Sequence, residues 1–161
     1  MVSLGDYGGA QGALLDEIIA SFRQAGITTR KAEDLGKAQW VKLVWNVPFN
    51  GLCIAEGGID TEALLAMPGG EERVRELMEE VRVGARALGY ELPAKLVDDQ
   101  VELTRPMGPY RPSSMIDYVE GREVEVEAIW AEPLRRAKEA GAELPAWEGL
   151  LERIRERIAG R

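Results

Sequence analysis

QWVKLVWNVPFN, residues Gln39–Asn50, decides how the rest of the chain is read. Taken as a helix, it sets Lys42, Asn46 and Asn50 four residues apart, on one stripe. Val41, Leu43, Val44, Val47 and Phe49 fill most of the remaining circumference. An ammonium and two amides on so apolar a helix each need a partner or a cavity. Two readings stand at this point. In the structural one, Lys42 buries its methylenes and keeps its head in water, while Asn46 and Asn50 cap backbone or join helices. In the other, the three heads line a ligand site. Pro48 removes the hydrogen bond to position 44, which predicts a kink and a freed Val44 carbonyl.

The whole chain narrows the classes. Its 161 residues suit one domain, 45% hydrophobic and 30% charged. A net charge of −8 without a dense Lys/Arg cluster argues against a nucleic-acid or membrane-surface binder. It leaves room for a small anionic substrate, because one lysine sets its own local potential. Cys53 is the single cysteine and histidine is absent, so disulfide frameworks, His-based triads and the common zinc sites are excluded. No signal-peptide pattern and no membrane-length apolar run are visible, and a reduced, cytoplasmic setting is expected.

Outward from the organising helix, MVSLGDYGG (residues 1–9) is a short apolar piece running into glycines. Val2–Leu4 has no visible partner strand, no GxGxxG occurs, and no βαβ pattern is apparent. Leu14, Leu15, Ile18, Ile19 and Phe22 predict a helix from Gly12 to Gly26, and Ile27–Thr29 a β-prone link. The organising helix begins between Asp34 and Ala38. Asp60 or Thr61 caps a short helix through Met67. A longer one covers residues 71–88, burying Val74, Leu77, Met78, Val81, Ala85 and Leu88. Pro93 opens a helix reaching Leu103. TRPMGPYRP (104–112) is an irregular loop that delivers Ser113-Ser114, with Ser113 a candidate N-cap. Helices over 115–120 and 124–140 follow, the second interrupted by Pro133. The last opens at Pro145 and uses Trp147, Leu150, Leu151, Ile154 and Ile158. Trp40, Trp45 and Trp130 read as core, Glu123 and Glu127 as solvated. The sum is an all-α, compact multi-helix domain.

KAQWVKLVWNVPFN, followed at a distance by YRPSSMIDYVEGREVEVEAI and LRRAKEAGAELP, resembles the C-terminal domain of ketopantoate reductase (2-dehydropantoate 2-reductase), a helical fold like the C-terminal domain of 6-phosphogluconate dehydrogenase. The matching positions are Trp40, Lys42, Asn46 and Asn50, then Ser113-Ser114-Met115, Asp117, Gly121-Arg122 and Glu125. The resemblance implies that Lys42 is the general acid protonating the carbonyl oxygen, an ammonium tuned by burial. It implies that Asn46 orients Lys42 or substrate, that Asn50 hydrogen-bonds substrate and that Ser114 takes the substrate carboxylate. Glu125 would accept from the substrate hydroxyl and pair with the lysine, with Asp117 behind it or capping a helix. Four departures from the family pattern bear on the substrate, the first being that Pro48 sits within the asparagine pair rather than after it. One residue fewer separates Ser114 from Asp117, Val124 replaces a threonine, and Trp130-Ala131 replaces Asn-Gly, whose glycine permits close helix approach.

By the same resemblance, residues 1–9 are a remnant or linker from a cofactor-binding domain and residues 10–161 the substrate-binding and catalytic domain. The implied function is the substrate half of an NADPH-dependent reductase of 2-dehydropantoate or a related 2-oxo acid, inactive alone, whose main NADPH-binding domain is absent from this chain. The expected partners are a small 2-oxo acid, a separate Rossmann domain and a second copy meeting through the uncovered face. No metal, nucleic acid or membrane is expected. The alternative is a non-enzymatic helical dimerisation or binding module.

Overall fold

The computed structural model describes residues 2–6 and 12–161. Two compact units divide the chain, Met1–Trp40 and Val41–Arg161. The boundary read from sequence, between residues 9 and 10, and the glycine-rich turn itself lie outside the described residues.

In the first unit, strand β1 (Val2–Leu4) pairs in parallel with β2 (Thr29–Lys31), Val2 opposite Thr29 and Leu4 opposite Lys31. Helix α1 (Ala13–Gln24) lies between them in the chain and buries Leu15 and Ile19. This is a βαβ unit, which corrects two expectations: that Val2–Leu4 lacked a partner and that no βαβ pattern was present. Each strand has three residues, too few for an alternation to register, and β2 carries Arg30 and Lys31. Thr29 is buried; its hydroxyl donates to the Ile27 carbonyl (2.9 Å), and its own carbonyl accepts from Arg23 (3.2 Å).

Eight α-helices carry the described residues, and the sheet is confined to those two strands, so the fold is all-α with no closed sheet. Helix α2 (Leu35–Ala55) starts at Asp34, whose carboxylate accepts from the Lys37 N–H (2.9 Å). It continues through Pro48 instead of ending there. In the second unit Val44, Val47, Phe49 and the run Leu52–Ala55 are all buried. From Val47 to Ala55 the helix is buried on all sides and has no polar face to display, which is why that part of its pattern is apolar nearly throughout.

Around α2 stand α3 (Thr61–Ala66), α4 (Gly70–Ala87), α5 (Lys95–Thr104), α6 (Ser113–Val119), α7 (Glu132–Glu139) and α8 (Pro145–Ala159). Helix α4 packs Val74, Leu77, Met78 and Val81 into the core and touches α3, α5, α7 and α8. Asp60 caps α3, as expected, accepting from the Ala63 N–H at 2.8 Å. Helix α8 is capped from a distance. Leu144 precedes it and has no side-chain acceptor, so both carboxylate oxygens of Glu80 on α4 reach over to the N–H groups of Ala146 (2.9 Å) and Trp147 (2.7 Å).

Before α7 the chain widens into a π-helical turn, Glu127–Ala131. Pro133 explains it: a proline in an α-helix has no N–H to give and crowds the carbonyl four residues back, whereas a wider turn relieves both. The expected interruption at Pro133 therefore takes the form of a change in helix width. Trp130, in that turn, is fully buried, and its indole N–H donates to the Val47 carbonyl of α2 at 3.0 Å. It can approach so closely because position 51 is glycine. A Cβ there would lie 2.8 Å from Trp130 Nε1 and 2.7 Å from Leu150 Cδ2.

Candidate active site

The two sequence motifs meet at Asn50 and Ser114. Helix α6 begins at Ser113 behind Pro112, which has no side-chain acceptor for the helix's free N–H groups. Asn50 supplies one from α2: its Oδ1 accepts from the Ser114 N–H at 2.9 Å, and both residues are buried. This corrects the expected Ser113 cap, since Ser113 is the first helical residue and makes no capping bond. The Ser114 hydroxyl lies against the same junction, fully buried and without a hydrogen-bond partner among the described residues. A buried unpaired hydroxyl costs free energy, and that cost is recovered when an acceptor reaches it.

One and two turns earlier on α2 the helix emerges. Lys42 is exposed, and Trp45 and Asn46 are half-buried. Neither Lys42 nor Asn46 makes a side-chain hydrogen bond or ion pair among the described residues. The ammonium expected to be buried is thus open to solvent in this chain. Glu125 stands just before the π turn, exposed, its carbonyl accepting from the Ile129 N–H at 3.1 Å. No ion pair joins it to Lys42 among the described residues, so the direct pairing expected between them is not formed here. Asp117 is bound to Arg122, with oxygen and nitrogen 2.7 Å apart, and that pair holds the turn after α6.

Two perturbed groups show where the interior is charged and where it is not. Glu56, near the end of α2, accepts from Arg153 (2.8 Å) and Arg73 (2.7 Å). Those hydrogen bonds, Arg153 first, hold its carboxyl below the ordinary value of 4.5 against a smaller opposing effect of burial. Arg157 donates to the Ala55 carbonyl at 2.9 Å, so cations gather at the negative end of the helix. Cys53 is buried, and burial, aided by the charge of Asp60, pushes its thiol up to about 12. Such a thiol is a packing group, not a nucleophile. A separate groove of about 580 Å³ lies between α7 and α8, over Leu134 and Leu151. Its rim is laced by ion pairs, including Lys138–Glu148 at 2.7 Å, and Glu127 is the part of the second motif that reaches it.

Sequence reading missed the surroundings of Trp45, which it assigned to the core. The indole N–H donates to Thr104 Oγ1 (2.8 Å), whose hydroxyl donates to the Gln100 carbonyl (2.7 Å). Phe49 and Tyr110 flank the indole at 5.0 and 5.9 Å between ring centroids. The available signal was the spacing of Lys42, Trp45 and Asn46, which makes them neighbours on one helix face.

The family model for the C-terminal domain of ketopantoate reductase (PanE/ApbA) matches residues 34–158. A 2-dehydropantoate 2-reductase of Nostoc is 38% identical over 149 residues, which is 89% of this chain and 46% of that protein. The crystal structure of 2-dehydropantoate 2-reductase from Geobacter metallireducens superposes with a TM-score of 0.91 at 38% identity, over 96% of this chain and 52% of that one. The enzyme of the same name from Methylococcus capsulatus gives 0.90 at 32% identity, over 96% and 49%. The chain spans about half the length of these relatives. With its two motifs joined at Asn50 and Ser114 on this helical scaffold, the chain belongs to the ketopantoate reductase family, of which it represents the C-terminal domain.

Proposed function

We propose that this chain is the substrate half of an NADPH-dependent reductase that converts 2-dehydropantoate, or a related 2-oxo acid, to the 2-hydroxy acid. The observation that supports the reading best is the Asn50–Ser114 bond, which locks together the two segments carrying the proposed site, while Lys42 is left accessible and unpaired two turns earlier on the same stripe of α2. The main cofactor cradle is not among the described residues. Gly5, the glycine after β1, is closed by Ala32 and Leu35, whose Cβ atoms would each lie 3.1 Å from an added Cβ. A glycine facing a pyrophosphate would be open. A Rossmann domain outside these 161 residues would hold most of NADPH, which when bound would supply hydride to the carbonyl carbon.

The residues of this chain handle the other atoms. Lys42 binds the anion by charge and gives its proton to the carbonyl oxygen, stabilising the negative charge that develops there. Asn46, one turn on, orients the lysine or the acid. Asn50 spends its carbonyl oxygen on Ser114 and keeps its amide hydrogens for substrate. Ser114 offers its unpaired hydroxyl to the carboxylate. Glu125 accepts from the substrate hydroxyl, and Asp117 holds the α6 turn through Arg122.

Mixing the chain with a matching Rossmann-domain protein and NADPH tests this. Turnover of a 2-oxo acid is expected, lost by about 10²–10⁴-fold in Lys42→Ala, with the fold intact because Lys42 is exposed. A reconstituted pair that reduces no 2-oxo acid would falsify the reading. Exposed Leu14 and Ile18 on α1 favour the second reading, a module that associates through this face. A sedimenting monomer at high concentration argues against that one.

A further inference from the structure

We propose that Trp45 and Tyr110 form an aromatic wall beside Lys42 that selects 2-oxo acids carrying an aryl or comparably large apolar substituent. The inference rests on the acid-binding reading of Lys42. It starts from the one stretch of α2 in the second unit that is not sealed. Lys42 is exposed, and Trp45 and Asn46, three and four residues later, remain half-buried, whereas positions 47–55 are all buried. Spacing of three and four makes these side chains neighbours on one face.

The wall is held rigidly. The Trp45 indole is fixed in its plane by the 2.8 Å bond to Thr104 and tilted at 31° against Phe49, which is fully buried. Tyr110 meets it edge-on, at 69°, and yet remains 45% exposed. The tyrosine comes from the proline-rich loop, and that backbone is pinned: the Tyr110 carbonyl accepts from the Thr61 N–H at 3.0 Å, and the Thr61 hydroxyl donates to the Gly108 carbonyl at 3.1 Å. Rings whose positions are fixed but whose surfaces stay partly wet lose little entropy when a flat apolar group covers them. The unpaired ammonium next to them chooses the sign of the other end of that molecule. A carboxylate joined by a short link to an aryl group satisfies both, whereas pyruvate, with a methyl group, reaches only the cation.

The test titrates the 161-residue chain with phenylpyruvate (2-oxo-3-phenylpropanoate) and with pyruvate, following the Trp45 indole N–H resonance. Phenylpyruvate is expected to bind about tenfold more tightly than pyruvate and to shift that resonance, as one added aromatic contact allows. Tyr110→Ala, which removes an exposed ring and leaves the Thr61 backbone bond in place, is expected to cut the preference to about threefold or less, with pyruvate binding unchanged. Trp45→Leu, titrated by calorimetry because it lacks the reporting indole, is expected to abolish it, with circular dichroism confirming a folded chain. Equal affinities for the two acids, binding of neither, or a preference that survives both substitutions would overturn the wall. The reductase reading fails separately. If a reconstituted pair reduces pyruvate and 2-dehydropantoate with no aryl preference, only the wall is lost. If no 2-oxo acid is reduced, the function falls with it.

Discussion

Gly51→Ala should destabilise this protein although alanine is the better helix former. In the interior of an exposed helix the exchange is worth about 1 kcal/mol in favour of alanine. At position 51 the new Cβ would sit 2.7 Å from Leu150 Cδ2, 2.8 Å from Trp130 Nε1 and 3.2 Å from Ile154 Cδ1. Overfilling a packed core in this way costs about 1–3 kcal/mol. Pushing Trp130 away also strands its indole N–H and the Val47 carbonyl, now 3.0 Å apart, at a further cost of about 1–3 kcal/mol. The net expectation is a loss of about 3 kcal/mol, or about 6–12 °C in Tm for a chain of this size. Gly149 on α8 is the internal control, since a Cβ there meets nothing within 4 Å. Gly149→Ala should raise Tm by about 2–4 °C. Thermal unfolding gives both Tm values, and urea denaturation followed by tryptophan fluorescence gives both free energies. If Gly51→Ala stabilises as Gly149→Ala does, the close approach of Trp130 to α2 is not what fixes that junction.

Three further outcomes are expected. Glu80→Ala removes both acceptors from the start of α8 and should cost about 2 kcal/mol in urea unfolding at constant m-value, with Glu80→Gln keeping part of it; no change in midpoint would show that water caps the helix equally well. Glu56 has its carboxyl depressed in the folded state by Arg153 and Arg73, so its contribution is complete above the unfolded carboxylate value and disappears as pH falls through the lower folded one. The Tm difference between wild type and Glu56→Gln should therefore be flat from pH 6 to 8 and shrink on acidification below about 4.5; a difference that grows on acidification contradicts the pairing. Cys53, with its thiol raised to about 12 by burial, should resist a disulfide reagent at pH 8 in the folded protein and react at once in denaturant. Rapid reaction of the native chain would place the thiol at the surface.

What could be read in the sequence follows the length and strength of each pattern. Helices α2, α4 and α8 bury long periodic faces, and Val74, Leu77, Met78 and Val81, or Trp147, Leu150, Leu151 and Ile154, are evident from spacing alone. The parallel pair of β1 and β2 was not evident, because three residues per strand carry no period and the partner lies beyond a whole helix. The Asp60 cap was legible since donor and acceptor are three residues apart. The caps of α6 and α8 were not, since Asn50 and Glu80 act across 64 and 66 residues of sequence. For the same reason Ser113 was the reasonable local guess and the wrong one.

The candidate site shows the same division more sharply. Residue types and order pointed to Lys42, Asn46, Asn50, Ser114 and Glu125, but sequence order cannot separate a side chain that holds the scaffold from one that faces a ligand. The structure shows Asn50 in the first task, and the second is the one proposed for it. Its carbonyl oxygen is the acceptor that α6 needs, because Pro112 cannot provide one, and so the position of Ser114 depends on a residue proposed to touch substrate. A substitution at Asn50 would therefore disturb two groups at once, and a loss of activity there could not be assigned to lost substrate contact alone. Lys42 has no such double duty: exposed and unpaired, it is the position at which a change in chemistry can be read without a change in fold.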